Sequence, residues 1–504
     1  MGARAYPIGL SSILVRVTAD SRDLSAFIKA YDVRGLVPDQ LDPVVCRALG
    51  AAFAEVVARR DGSAAVVIGH DMRPSSPELS EAFANGVAER GVDVVLIDLA
   101  STDQLYYASG ALDLPGAMFT ASHNPAQYNG IKLCRAGARP VGQDSGLHEV
   151  RDLAQRVLDG DDEAFPAVGA SGSIERRDVL GDYGSFLRDL VDLRGIRRLR
   201  VVIDAGNGMA GHTVPAVLGT AAGLDALPLD IIPMYFELDG TFPNHEANPL
   251  DPANLVDLQE AVRREGADLG LAFDGDADRC FVVDERGEPV SPSAIIALVA
   301  GREIAREVSA GRRAEEVRIV HNLITSKVVE EEVRAAGAEP VRTRVGHSFI
   351  KGEMARSGAV FGGEHSAHYY FREFWFADTG MLAAMHVLAA LGASDEPLSR
   401  LAGHFDRYVT SGEINSTVAD AAAATEAVLQ WVQNRFTDVT LETLDGTTVT
   451  RAGSDGDWLW WLNLRASNTE PLLRLNVEAR DEATMTELRD AVLGIIRADP
   501  SPVR

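Results

Sequence analysis

The sequence predicts an α/β protein: three similar α/β domains with mixed sheets, followed by a C-terminal α+β domain. Three observations carry that expectation. The 504 residues exceed what one hydrophobic core organises. A strand, helix, strand pattern recurs three times, its units starting roughly 120 to 135 residues apart. Beyond about residue 403 the alternation gives way to a series of short strands flanked by two helical stretches. In the first unit the β-branched run at 65–68 leads through a helix over 80–90 into a strand over 92–97. In the second, 200–203 leads through 211–218 into 227–232, and in the third 317–320 leads through 326–335 into 340–343. The C-terminal part offers strands over 439–442, 447–450, 458–464 and 472–477, with helices over 421–436 and 482–498 covering one face. Polar, Gly- and Pro-bearing stretches near 168–173, 285–292 and 401–412 read as linkers, giving expected domains over 1–172, 173–286, 287–404 and 405–504.

Bulk composition excludes several functions. A net charge of −26 argues against nucleic acid and anionic membrane surfaces as partners, both of which reward a basic face. An anionic substrate would need locally focused positive groups. Cys46, Cys134 and Cys280 are few, odd in number and far apart, so they form no readable disulfide framework or metal motif, and a reducing cytoplasm fits. The apolar run over 381–393 is too short to span a bilayer, and Arg4 and Arg16 interrupt the N-terminal apolar stretch that a signal peptide would need. Only four of the 48 basic residues are lysines, namely Lys29, Lys132, Lys327 and Lys351, and three of these lie in or beside the motifs below. Lysine is a compact charge that can exchange its proton, unlike arginine, so this set points at chemistry.

Two strings combine into a phosphate-transfer device. In Asp274-Gly275-Asp276-Ala277-Asp278-Arg279, three carboxylates at alternate positions present the hard oxygen donors that Mg²⁺ or Ca²⁺ takes. An EF-hand is the competitor, since Glu285 falls at its twelfth position. It fails because Arg279 stands where the turn needs Gly, and because the flanks 269–273 and 280–283 read as strands. In Thr120-Ala121-Ser122-His123-Asn124-Pro125, an apolar strand over 115–119 empties into a polar turn that exposes a serine. Asn129-Gly130 is expected to form a second tight turn that brings Lys132 back toward it. The Gly-x-Ser-x-Gly elbow of a hydrolase is missing. Phosphoryl transfer needs an in-line nucleophile and charge neutralisation, and the two strings supply both. Two further loops complete the set. Residues 362–368 alternate hydrogen-bonding side chains suited to the hydroxyls of a sugar, and 465–471 gather a guanidinium, hydroxyls and an amide, the residue types of a phosphate cradle.

These four strings, in this order and at domain-scale spacing, resemble the α-D-phosphohexomutase superfamily, in particular its bacterial phosphomannomutase/phosphoglucomutase branch. The similarity runs from Phe27 to the C-terminus. The resemblance implies three related α/β domains and a TATA-binding-protein-like C-terminal domain around a deep central cleft. It implies reversible interconversion of hexose 6-phosphate and hexose 1-phosphate, mannose and glucose included, through a phosphoserine enzyme and a hexose 1,6-bisphosphate that also serves as activator. Ser122 would be the phosphoserine, with His123 beside it. Asp274, Asp276 and Asp278, together with that phosphate on Ser122, would hold Mg²⁺. Glu364, Ser366 and His368 would select the sugar through O3 and O4, while Arg465, Ser467, Asn468 and Thr469 would grip the non-reacting phosphate. The string Tyr31-Asp32-Val33-Arg34-Gly35 puts Tyr31 and Arg34 in the cleft, and Gly346 to Lys351 puts His347 there. A neutral Lys132, or a nearby histidine, would accept the hydroxyl proton, with Arg34 and Arg279 stabilising equatorial charge. A cytoplasmic monomer or weak homodimer acting on small hexose phosphates is the implied form.

The chain departs from the family pattern at Ala367, where Gly is frequent, at His365, where some relatives have Met, and at Leu323, where certain relatives carry a cleft lysine. The first 26 residues extend beyond the matched region. Within the enzyme class a phosphoglucosamine mutase is the rival, and outside it a non-catalytic sugar-phosphate sensor. A sensor would be expected to lose the serine or the aspartates, all of which are present.

Overall fold

The computed structural model describes residues 23–29, 31–453, 458–466 and 472–498. Among these, four sheets form, in the order that the strand and helix patterns predict. The first is seven-stranded and mixed, running Val33–Leu36, Tyr128–Arg135, Gly116–Phe119, Ala65–His70, Asp93–Leu99 and Ile174–Arg176, with Arg139–Pro140 paired beside Tyr128–Arg135. The second has five strands in the order Pro289–Val290, Cys280–Asp284, Leu269–Phe273, Leu199–Asp204 and Leu229–Met234. A third five-stranded sheet runs Glu339–Thr343, Arg318–Asn322, Phe361–Gly363, Tyr369–Phe371 and Ala377–Asp378. The fourth is six-stranded and antiparallel, with Leu472–Ala479 and Trp458–Ala466 at its centre and the helices Ala421–Arg435 and Glu482–Ile496 packed together.

Central strands such as Gly116–Phe119 and Leu269–Phe273 are buried along their whole length, because helices cover both faces of their sheets. The helix expected over 80–90 begins earlier, at Ser76, because Pro77 sits in its first turn, where no N–H is needed. The apolar run over 381–393 is the helix Gly380–Gly392, almost wholly buried. No helix among the described residues is long and apolar enough to cross a membrane. Two expected domain ends move. Ile174–Arg176 pairs in parallel with Asp93–Leu99, carrying the first sheet past residue 172, and Pro289–Val290 pairs with Cys280–Asp284, carrying the second past 286.

The first three domains lock together around aromatic side chains. Trp375 of the third domain stacks on Phe186 of the second at 5.2 Å and meets Tyr107 of the first edge-on at 6.2 Å. The fourth domain is tied to the third by polar contacts. Lys327 N donates to Glu478 at 2.9 Å, Val345 N donates to Asp445 at 3.1 Å, and Arg342 pairs with Glu442 at 2.7 Å.

Candidate active site

The serine turn follows directly from the first sheet. Gly116–Phe119 is buried on both faces, and at its end the chain leaves the sheet through Thr120 and Ala121 to Ser122. Ser122 is 4% exposed and sits in the left-handed region at φ +50°, a conformation that costs a non-glycine residue free energy and must be held by its surroundings. Asn129 and Gly130 form no turn of their own, contrary to the expectation. They lie inside the strand Tyr128–Arg135, where a Cβ at Gly130 would meet the Val33 carbonyl oxygen at 2.3 Å, so glycine is required by the close approach of two backbones. Lys132 nevertheless arrives as expected, paired across the ladder with Met118.

What holds the serine turn is Arg73, a residue not singled out from the sequence. Its buried guanidinium donates to four carbonyls of the turn: Ser122 at 2.9 Å, Asn124 at 2.6 Å, Pro125 at 3.0 Å and Tyr128 at 2.9 Å. Asp71 pairs with it at 3.3 Å, and Phe242 of the second domain lies against it at 5.2 Å. A lysine has one ammonium where arginine has a planar fork, so Arg73→Lys keeps the charge and loses most of these bonds. We expect that variant to lose about 2–4 kcal/mol of stability by thermal denaturation, and its kcat to fall roughly 10- to 100-fold through misplacement of Ser122.

The acidic string is the connection of a hairpin. Leu269–Phe273 and Cys280–Asp284 run antiparallel, with Phe273 opposite Cys280, as the strand-flanked reading required. The loop backbone presses against the serine turn so closely that a Cβ at Gly275 would lie 2.4 Å from the Ser122 carbonyl oxygen. Ser122 Oγ donates to Asp274 Oδ2 at 2.9 Å and lies 3.1 Å from His123 Nδ1. Arg279 donates to Asp274 from its backbone N (3.1 Å) and Nε (2.9 Å), and its Nη2 reaches His123 Nδ1 at 2.7 Å. That contact makes Nδ1 an acceptor, leaving the imidazole proton on Nε2. Burial, with Arg279 and Arg34 adding to it, pushes the His123 pKa down to about 3, so the ring is neutral at pH 7. Arg34 donates to the Ala121 carbonyl at 3.1 Å and to Asn124, and is itself held by Asp32 at 2.8 Å.

The three carboxylates fit a divalent cation. Their oxygens lie within 4.8 Å of one another, and all three residues are at most 1% exposed. Asp276 Oδ1 and Asp278 Oδ1 are buried with no hydrogen-bond donor, while their Oδ2 atoms share Lys132 Nζ at 2.7 and 2.6 Å. Buried anionic oxygens without a donor are costly, and a hard cation such as Mg²⁺ satisfies them. Lys132 itself is not neutral here. Burial alone would lower its pKa, but Asp276 and Asp278 outweigh it and hold the ammonium protonated, which corrects the expectation of a neutral lysine accepting a proton. The histidine alternative does not run through His123, whose Nδ1 already accepts from Arg279.

The third domain closes the cavity. Arg279 and His368 meet in an isolated antiparallel bridge, which brings residues 362–368 onto the loop of the three aspartates. His368 Nε2 lies 3.7 Å from Asp278 Oδ1, and its Nδ1 is 3.0 Å from Ser366 Oγ. Glu364 is 2% exposed and already accepts from Gly346 N (2.9 Å), Asn322 Nδ2 (3.2 Å) and Tyr370 Oη (2.6 Å). It therefore ties the segment at Gly346 to residues 362–368, with three hydrogen bonds already accepted. His347 meets Tyr31 edge-on at 5.4 Å, and burial, aided by Lys351, lowers its pKa to about 3. Lys351, one of the four lysines of the sequence, is buried, pairs with Asp378 at 2.6 Å and lies 4.1 Å from the Tyr106 ring centre. The resulting cavity of about 330 Å³ is lined by Tyr31, Arg34, Ser122, His123 and Lys132 from the first domain. Asp278, Arg279, His347 and His368 line its other side. Arg465 is not among the residues that line that cavity and pairs with Glu413 at 3.2 Å. Ser467, Asn468 and Thr469 fall outside the described residues.

Comparison with known proteins agrees with this architecture domain by domain. The family models for phosphoglucomutase/phosphomannomutase match in order: alpha/beta/alpha domain I over residues 26–157, domain II over 182–287, domain III over 292–408 and the C-terminal domain over 413–495. The chain is 36% identical over 470 residues to a phosphomannomutase of Vibrio cholerae, covering 92% of this chain and 96% of that one. It is 38% identical over 468 residues to a protein of Xanthomonas campestris named phosphohexose mutases, covering 92% and 97%. The crystal structure of a phosphoglucomutase/phosphomannomutase family protein from Burkholderia thailandensis superposes with a TM-score of 0.80 at 29% identity, over 94% of this chain and 98% of that one. The chain belongs to the phosphoglucomutase/phosphomannomutase family.

Proposed function

We propose that this protein interconverts hexose 6-phosphate and hexose 1-phosphate, with mannose and glucose phosphates as substrates, by passing a phosphoryl group through Ser122. The observation that carries the reading is the seating of Ser122 Oγ on the metal loop, 2.9 Å from Asp274, beside two buried carboxylate oxygens that accept no hydrogen bond. A nucleophile and a cation site in contact are what phosphoryl transfer requires. Mg²⁺ bound by Asp274, Asp276 and Asp278 would neutralise phosphoryl charge. Arg34, Arg279 and Lys132 add fixed positive charge to the same cavity wall, so an anionic substrate is drawn into a protein whose net charge is −26.

In the forward direction phosphoserine 122 gives its phosphoryl group to the free hydroxyl of the hexose monophosphate. The new bond is to the sugar oxygen, the bond to Oγ breaks, and the hydroxyl proton leaves to a base. His368 is the candidate acceptor, being partly exposed in the cavity and tethered through Nδ1 to Ser366. The hexose 1,6-bisphosphate then turns over and returns its other phosphoryl group to Ser122. Added bisphosphate acts as activator because it recharges a serine that has lost its phosphoryl group. Arg465 is proposed to grip the distal phosphate, with Ser467, Asn468 and Thr469 following it in sequence.

The test is a coupled assay of mannose 1-phosphate and glucose 1-phosphate with Mg²⁺ and a trace of glucose 1,6-bisphosphate. Turnover of both supports the reading. Turnover of neither, with glucosamine 6-phosphate active instead, moves the chain to the amino-sugar branch, and turnover of none of them supports the sensor. In the same assay Arg465→Ala should raise KM for both substrates roughly 10- to 100-fold, the loss of a charge-assisted contact.

A further inference from the structure

The helix Thr102–Leu112 begins where the first three domains meet, and the mechanism above gives its first two residues no part. Both are buried, Thr102 at 0% and Asp103 at 1% exposed. Thr102 bonds Asp276 of the second domain twice. Its backbone N donates to the Asp276 carbonyl at 3.1 Å, and its Oγ1 donates to Asp276 Oδ2 at 2.6 Å. Lys132 Nζ reaches the same Oδ2 at 2.7 Å, so one oxygen of Asp276 has two donors and the other, Oδ1, has none. A carboxylate whose Oδ2 is held by two donors is restrained in orientation, with Oδ1 left to offer to the cation.

The start of the helix is itself held from three directions. Ser101 caps it by accepting from Gln104 N at 3.2 Å. Asp103 Oδ1 accepts from Ser101 Oγ, and Asp103 Oδ2 accepts from Tyr183 Oη of the second domain at 2.8 Å and from Thr379 Oγ1 of the third at 2.7 Å. Thr379 in turn caps the helix Gly380–Gly392 through Leu382 N at 3.1 Å. Thr102 therefore reaches Asp276 from a support anchored in all three domains.

We propose that Thr102 is a positioning residue for the cation site, its hydroxyl setting which oxygen of Asp276 faces the ion. This rests on the divalent-cation reading of Asp274, Asp276 and Asp278. The test is Mn²⁺ binding to the full chain, followed by electron paramagnetic resonance of the free ion, for the native protein and for Thr102→Val, Thr102→Ser and Asp276→Asn. Valine keeps the shape and the backbone bond while removing the hydroxyl. The expected result is a 10- to 100-fold weaker Mn²⁺ affinity in Thr102→Val, about the loss that removing a partner of a metal ligand causes, with Thr102→Ser restoring most of it. A change in melting temperature with unchanged Mn²⁺ affinity in Thr102→Val would make the residue merely structural and overturn the proposal, leaving the cation reading intact. If Thr102→Val fails to fold, Thr102→Ser decides: native affinity supports the proposal, and affinity as weak as that of Asp276→Asn overturns it. Native protein binding Mn²⁺ no better than Asp276→Asn would overturn the cation reading and this inference together.

Discussion

Ser122→Ala is expected to lower turnover by at least about 10⁴-fold, because no other group in the cavity stands where Oγ stands and removal of a covalent nucleophile is among the largest single losses an active site can suffer. The fold should survive the change. Alanine at the same φ of +50° is held by the same Arg73 bonds to the backbone, and Asp274 keeps its contacts to Arg279. The coupled assay and a thermal melt check the two halves of this expectation, together with mass spectrometry of the peptide containing Ser122. Activity near the native level in this variant would remove the serine from the reaction.

The second large effect is expected at the cation site. Asp278→Asn replaces a carboxylate that has one oxygen on Lys132 at 2.6 Å and the other buried without a donor. The amide cannot supply negative charge to a cation, and its NH₂ group, in either flip, faces either the ion or the ammonium of Lys132. Turnover should fall by at least about 10³-fold, comparable to or beyond the loss of one strong electrostatic stabiliser of the transition state. Native enzyme treated with a chelator should lose turnover likewise and regain it on addition of Mg²⁺, while the variant regains little. Turnover by Asp278→Asn that matches the native enzyme at the same Mg²⁺ concentration would contradict the assignment.

The parts of this site that could be read from the sequence are those whose chemistry is local. Three carboxylates at alternate positions between two apolar runs lie on a hairpin because the runs themselves pair. The serine lies just past the end of a central strand because the apolar run that forms that strand is short and gives way to polar residues. The strands and helices of the repeated units and four of the six strands of the C-terminal sheet follow from periodicity, whereas the short strands Val409–Thr410 and Ile414–Thr417 do not, one lying in the stretch read as a linker and the other just after it. What escaped is what depends on distance along the chain. Arg73 lies 49 residues before Ser122, and Thr102 lies 174 before Asp276, so nothing near either residue indicates its partner. The scarcity of lysine was a partial signal. Lys132, partly buried in the cavity wall, faces Asp276 and Asp278, and Lys351 is buried against Asp378, whereas Lys327 is paired with Glu330 beside the contact with the fourth domain. Its limit lies in the charge state: a scarce lysine suggests a proton carrier, but the two aspartates facing Lys132 hold its proton in place. Glu364 shows the converse. Its motif suggests a sugar contact, and what the motif does not show is that the carboxylate also accepts from Gly346, Asn322 and Tyr370.

Passage of the phosphoryl group through Ser122 is tested by a single-turnover transfer experiment. Protein charged with radiolabelled phosphoryl from hexose 1,6-bisphosphate is freed of excess donor and mixed with unlabelled glucose 1-phosphate or mannose 1-phosphate. The label is expected to start on the peptide containing Ser122, to move to hexose 1,6-bisphosphate and then to hexose 6-phosphate, and Ser122→Ala is expected to take up none. Label that stays on the protein after substrate is added, or that sits on a residue other than Ser122 while turnover proceeds, would contradict passage through Ser122.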